Sequence, residues 1–385
     1  MRGAGLAALV LFAGASALTA PTPGSAGSAG LRPLAFADLA GWPDDDHAAA
    51  LRAFRRSCAA LLDETTPLRP ARAADAGLRE ACRAALAEPD ASADRARRFF
   101  ETRFAPFEIV PETGAGFLTG YYEPEFQGSR ERTDAFPVPL LDRPADLVTI
   151  PQGGTLPGID PALQAARRTQ HGYEPYPDRA AIEDGALGPS ARPVAWLREP
   201  GEAFILHVQG SARIRLGDGA VMRVSYAGRN GRPYTSIGRL LVQDGVMDLE
   251  TMTLERLMGW LREHPAEARA LMRRNQSYIF FREATGLAPE DGPIGGAGIP
   301  LVPGRSLAVD RTLWSYGLPF WLEGRLPVSL TESAPLNRLM IAHDTGSAIV
   351  GPARGDFFVG SGPAAGTQAG LLRHATRFVV LRPRT

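Results

Sequence analysis

Two cysteines, six histidines and no excess of charge leave this chain of 385 residues without the usual pointers to function. Lys+Arg and Asp+Glu both number 42, so the formal net charge is zero and the total suggests neither a nucleic acid nor an acidic membrane as partner. The histidines are scattered, with no HExxH and no CxxC, so no metal or other cofactor is expected. GxSxG, the phosphate-binding GxxxxGK loop and GxGxxG after a strand are missing as well, which argues against an α/β-hydrolase, a nucleotide enzyme or a dinucleotide enzyme. Beyond the N-terminus no apolar run is long enough to span a bilayer.

What is present points to a two-domain, strand-rich protein. At about 100 to 200 residues per domain the length predicts two, and 44% hydrophobic residues suffice for two cores. Gly 42 and Pro 33 fit many short strands joined by turns. Residues 1–17 read as a secretory signal: a positive charge at Arg2, a short apolar run, then a small-x-small site ending at Ala17. No cysteine follows to accept lipid, so the expectation is a soluble periplasmic protein, with any outer-membrane association made without a lipid anchor. In an oxidising compartment Cys58 and Cys82 could form a disulfide. Two buried free thiols are the other reading, because sequence spacing does not fix Cα separation.

Residues 18–43, rich in small residues and proline, read as a disordered leader. Helical periodicity starts after Asp44, Asp45 and Asp46, with Ala50, Leu51, Phe54, Cys58 and Leu61 on one face. Two more helices are expected at 78–86 and 93–104. From Phe107 the pattern turns to strands, including 116–125, 194–197, 203–209, 212–216 and 221–226, interrupted by one helix at 253–274. Residues 287–303 read as a linker, and short strands follow at 307–309, 319–322, 338–342, 356–359 and 376–381.

Three aspartates punctuate that last block. Asp310 and Asp344 precede Arg-Thr and Thr-Gly, where a turn role accounts for each taken alone. Asp344 is nevertheless the second catalytic candidate and Asp310 a substrate-binding one. Asp356 differs, because on an alternating strand it shares a face with Phe358, and a carboxyl beside an aromatic wall keeps its proton to higher pH. Tyr121, Tyr122, Glu123, Gln209 and Ser211 offer ring faces and hydrogen bonds suited to sugars. Arg213 and Arg215, with Arg223 nearby, could read a carboxylate on the ligand. Asp344-Thr-Gly also looks like half of an aspartic-protease site, but no second such triplet is present.

Thr119-Gly-Tyr-Tyr-Glu-Pro, Val208-Gln-Gly-Ser, the run 225–238, Ser277-Tyr-Ile-Phe-Phe-Arg and the three-aspartate block together resemble the lytic murein transglycosylase A family. The resemblance runs over nearly the whole chain after residue 44. It implies a mainly β fold with N-terminal helices, in which a double-psi β-barrel (44–125 and 285–385) carries an inserted second β-domain (126–284), with a groove between them. It also implies a monomer acting on peptidoglycan glycan strands, alone or beside other cell-wall enzymes, with Asp356 as the acid. Hydrolysis normally takes two carboxylates. If Asp356 acts alone, the C6 hydroxyl of N-acetylmuramic acid is the better nucleophile, since an intramolecular attack has a high effective molarity. A plain glycan hydrolase, with Asp344 or Glu123 activating water, is the alternative, and a non-catalytic glycan-binding module a more distant one.

Overall fold

The computed structural model describes residues 30–384, apart from 89–91, 113, 152, 249–251, 330–331 and 347. The expected signal at 1–17 and the start of the expected leader lie outside the described residues. The chain is mainly β with several helices. It divides into two units: Met1–Tyr122 with Ala288–Thr385, and Glu123–Leu287 between them. The insert had been expected at 126–284.

The first unit carries a nine-stranded sheet in the open order Gly30–Pro33, Phe104–Val110, Arg377–Pro383, Pro319–Pro327, Ser333–Asp344, Ser306–Val309, Arg354–Ser361, Phe117–Glu123, Arg373–Ala375. Three helices precede most of it, each started by a side-chain cap that satisfies an orphan amide. Asp46 caps His47–Leu62, Asp75 caps Ala76–Ala87 and Ser92 caps Ala93–Arg103. The first helix buries Ala50, Leu51, Phe54 and Cys58. The Phe54 ring meets those of Phe99, Phe100 and Phe104 at 6.1, 5.9 and 5.7 Å. Such a cluster typically loses about 3–5 kcal/mol per Phe→Ala change. Cys58 and Cys82 join the first two helices in a disulfide, their Cα atoms 4.8 Å apart.

Three expectations are corrected here. The leader is ordered from residue 30: Gly30–Pro33 pairs with Phe104–Val110, and Trp42 is buried edge-on against Trp321 at 5.1 Å. Two indoles enclosed together outweigh the low-complexity composition around them. Residues 203–209 are helical, within Pro200–Gln209. Their unbroken apolar run reflects burial on several sides, and the stop signal was Gly210, left-handed at φ 82°. The helix expected at 253–274 is two, Leu254–Glu263 and Pro265–Arg273, because Pro265 has no N–H to continue the ladder and restricts His264.

The second unit is contiguous in sequence. Its six-stranded sheet runs Ile279–Glu283, Val221–Arg229, Ser211–Arg215, Glu125–Ser129, Pro193–Leu197, Val138–Leu141, beside a three-stranded sheet. Among the described residues no helix is long and apolar enough to cross a membrane.

Candidate active site

Strand Ser306–Val309 lies between the two strands that carry the aspartates of interest, and Ala308 is the register partner of both. It pairs with Asp356 on the antiparallel side and with Asp344 on the parallel side. Partners in a ladder project to the same face, so the sheet brings the two carboxylates together over a small residue.

Asp356 is 9% exposed. Thr119 donates its hydroxyl to Asp356 Oδ1 at 2.6 Å, and Arg354 Nη2 donates to the same Thr119 Oγ1 at 2.8 Å. A guanidinium cannot accept, so the one proton of Thr119 is committed to Oδ1. The acid's own proton therefore belongs on Oδ2. Burial dominates its ionisation and pushes the carboxyl from 3.8 up to about 6, against the Arg354 charge and the Thr119 bond and with help from the Asp344 charge.

Asp344 is held differently. Its Oδ1 accepts from Gly296 N at 2.7 Å and Thr345 N at 2.8 Å, and its Oδ2 accepts from Tyr121 at 2.8 Å. The Tyr121 ring packs 5.3 Å from Phe358. Burial, then the Asp344 charge, holds the Tyr121 hydroxyl well above its ordinary range, so it serves as a donor. The stretch 287–303, expected as a linker, is the wall of this cradle. A Cβ on Gly296 would come within 2.5 Å of the Tyr316 hydroxyl, and one on Gly292 within 2.6 Å of the Phe358 ring. Only glycine lets this backbone approach so closely.

The remaining expected residues divide. Asp310 accepts on Oδ1 from Thr312 N and Oγ1 and on Oδ2 from Gly351 N, so both oxygens are engaged in a local turn. Tyr122 is 8% exposed and packs over Gly366, so it belongs to the core. Glu123 is fully buried: Arg213 Nε reaches Oε2 at 2.8 Å and Arg223 Nη2 reaches Oε1 at 3.0 Å. The arginines expected to read a ligand's carboxylate thus read one of the chain's own, and Arg215 likewise pairs with Glu125 at 2.6 Å. Ser211 is buried opposite Ser225 in the sheet. Gln209, at the end of its helix, keeps an enclosed side-chain oxygen with no hydrogen-bond partner among the described residues. Thr119 and Arg354 were missed as site residues. Their signal was the two-residue spacing to Tyr121 and Asp356, which puts them on the same strand faces. No group of three or more His, Cys, Asp or Glu among the described residues is arranged for a metal ion.

Comparison with known proteins points one way. The family described as MltA specific insert domain matches residues 117–282, and the 3D domain matches 305–382. Membrane-bound lytic murein transglycosylase A of Escherichia coli (strain K12) is 34% identical over 272 residues, 69% of this chain and 65% of that relative. The chain thus matches just under two thirds of the length of that curated relative. The crystal structure of membrane-bound lytic murein transglycosylase from Agrobacterium tumefaciens is 39% identical with a TM-score of 0.82, over 92% of this chain and 98% of that one. E. coli MltA with bound chitohexaose is 25% identical with a TM-score of 0.63, over 94% and 95%.

Proposed function

The chain belongs to the lytic murein transglycosylase A family, and on that premise we propose that it cleaves the β-1,4 bond between N-acetylmuramic acid and N-acetylglucosamine in peptidoglycan without water, leaving 1,6-anhydromuramyl ends. The observation that carries the reading is the setting of Asp356: a buried carboxyl whose Oδ1 takes the Thr119 hydroxyl, leaving Oδ2 to carry a proton, and whose ionisation burial pushes up to about 6. Such a group donates to the departing glycosidic oxygen and, once ionised, accepts the proton of the C6 hydroxyl as that oxygen attacks C1. One bond to the leaving sugar breaks, one internal ether forms, and the proton returns to Asp356.

The hydrolytic alternative needs a second free base. Asp344 already holds three donors and Glu123 two guanidinium groups, which disfavours both. We assign Asp344 to fixing Tyr121 and supplying a negative charge that favours the protonated acid. Gln209 keeps its reading as a sugar contact on the strength of its unpartnered oxygen. The first unit is read as the double-psi barrel, supported by the parallel pairing of Ser306–Val309 with Ser333–Asp344 amid antiparallel neighbours. The contiguous second unit is read as the inserted domain. Export to the periplasm rests on the N-terminal signal pattern. Mass spectrometry of muropeptides released from purified sacculi tests the reaction. Anhydro ends are expected, and products heavier by one water would replace the reading with hydrolysis.

A further inference from the structure

We propose that Arg69, on the loop between the first two helices and outside both matched family domains, is a positioning residue that holds the two residues whose amides grip Asp344. The inference rests on the reading of Asp356 as the acid and names a residue that the reading does not require.

Arg69 touches both residues whose amides reach Asp344. Its backbone N–H donates to Gly296 O at 3.1 Å and its Nη1 to Thr345 O at 3.0 Å. Gly296 N and Thr345 N are the donors to Asp344 Oδ1. One residue thus bonds the carbonyl of each residue whose own amide points at the carboxylate, one peptide unit further along the chain. The Arg69 carbonyl in turn accepts from the Tyr316 hydroxyl at 3.0 Å. The rest of the loop is fastened nearby, by Arg72 N to Arg311 O at 2.8 Å and by Arg311 Nη1 to Pro70 O at 2.9 Å. The Cys58–Cys82 disulfide joins the helices on either side of the loop. Lysine would present a point charge on a flexible stem, whereas the planar guanidinium keeps a fixed direction toward Thr345 O.

The consequence runs through Asp344 to the acid. The charged groups that act on Asp356 are Arg354 and Asp344, while Tyr121, which donates to Asp344, feels the charges of both aspartates and of Arg69 itself. With Thr345 released from Arg69, the Asp344 carboxylate drifts, which weakens the anionic influence that favours protonated Asp356 and loosens the hold on the Tyr121 hydroxyl.

Arg69→Ala keeps the backbone bonds to Gly296 and Tyr316, so the loop has anchors left and the variant is expected to fold. Release of muropeptides from sacculi, measured as kcat/KM across pH, should fall at least tenfold, with the alkaline limb moved to lower pH. Arg69→Lys should recover part of both. In an Asp344→Asn background, Arg69→Ala should cost little more, because both changes act on one element. An unmoved pH limb in folded Arg69→Ala, or a full additional loss in the double variant, would overturn the assignment and leave Arg69 a staple of the loop. A dead Asp356→Asn alongside an unmoved Arg69→Ala profile sinks this inference alone. An active Asp356→Asn sinks the acid reading and takes this one with it.

Discussion

Two buried carboxylates, Asp356 in the first unit and Glu123 at the start of the second, both have arginine close by, yet they are set up for opposite ends. Glu123 meets its two guanidinium groups directly, with Arg213 and Arg223 occupying both oxygens. Asp356 shares hydrogen bonds with Arg354 through the Thr119 hydroxyl, and the charge of Asp344 acts on it as well as that of Arg354. Burial raises the cost of charge at each. At Glu123 two guanidinium groups meet the carboxylate directly, whereas at Asp356 burial outweighs the Arg354 charge and the Thr119 bond and raises the carboxyl to about 6. The two carboxylates thus differ in how their arginines reach them, directly at Glu123 and across the Thr119 hydroxyl at Asp356.

The contrast can be broken most sharply at the acid. Asp356→Asn keeps the shape and the Thr119 bond but moves no proton, so turnover of sacculi should fall by at least the ~10² to 10⁴ that general acid-base catalysis contributes. Near-wild-type turnover in a folded Asp356→Asn protein would mean that the acid is elsewhere. Glu123→Gln should show the opposite profile: a loss of about 3–5 kcal/mol in denaturant unfolding, because two buried guanidinium groups lose their counter-charge, with turnover per folded molecule retained. If turnover is abolished while stability holds, Glu123 returns to the list of residues serving the reaction.

A subtler expectation concerns stability against pH. Asp356 titrates at about 6 when folded and near 3.8 in the unfolded chain, so between those values the folded state binds more protons and stability falls as pH rises. The gap is worth on the order of 3 kcal/mol at about 1.4 kcal/mol per unit. Asp356→Asn should therefore be more stable than wild type above pH 6, and the two should converge near pH 4. Parallel melting curves across that range would show that the acid is not held protonated. Smallest of all, Thr119→Val removes a bond that favours the ionised acid, so the alkaline limb of kcat/KM should move to higher pH. A limb that stays in place would take Thr119 out of the account.

The first helix was legible because its start is local: Asp46, one of three acidic residues, sits immediately before it, and its apolar face recurs at helical spacing. Asp356 was legible for a similar reason, since its relation to Phe358 lies within one strand. What could not be read depends on partners far along the chain. Thr119 is 237 residues from Asp356, and the Arg69 side chain meets a carbonyl 276 residues away. The glycines at 292–298 read as linker because their need for close approach is created by Phe358, Tyr316 and Asp344, which composition does not reveal. Arg213 and Arg223 looked like ligand readers because Glu123, their partner, had been placed among the sugar contacts.

The strand order of the first unit also sets a schedule. Every strand of the second unit's larger sheet has been made once Glu283 is reached, whereas Arg377–Pro383 lies inside the nine-stranded sheet, between Phe104–Val110 and Pro319–Pro327. Its Phe378 ring closes on Gly355, next to the acid, where an added Cβ would come within 2.8 Å. The enclosure beside Asp356 is therefore completed only by a strand that follows it in the chain. Without enclosure the carboxyl has no reason to keep its proton. A chain broken off between Asp356 and Phe378 would keep the aspartate without the ring that closes beside it, so the raised ionisation of that carboxyl depends on one of the last strands to be made.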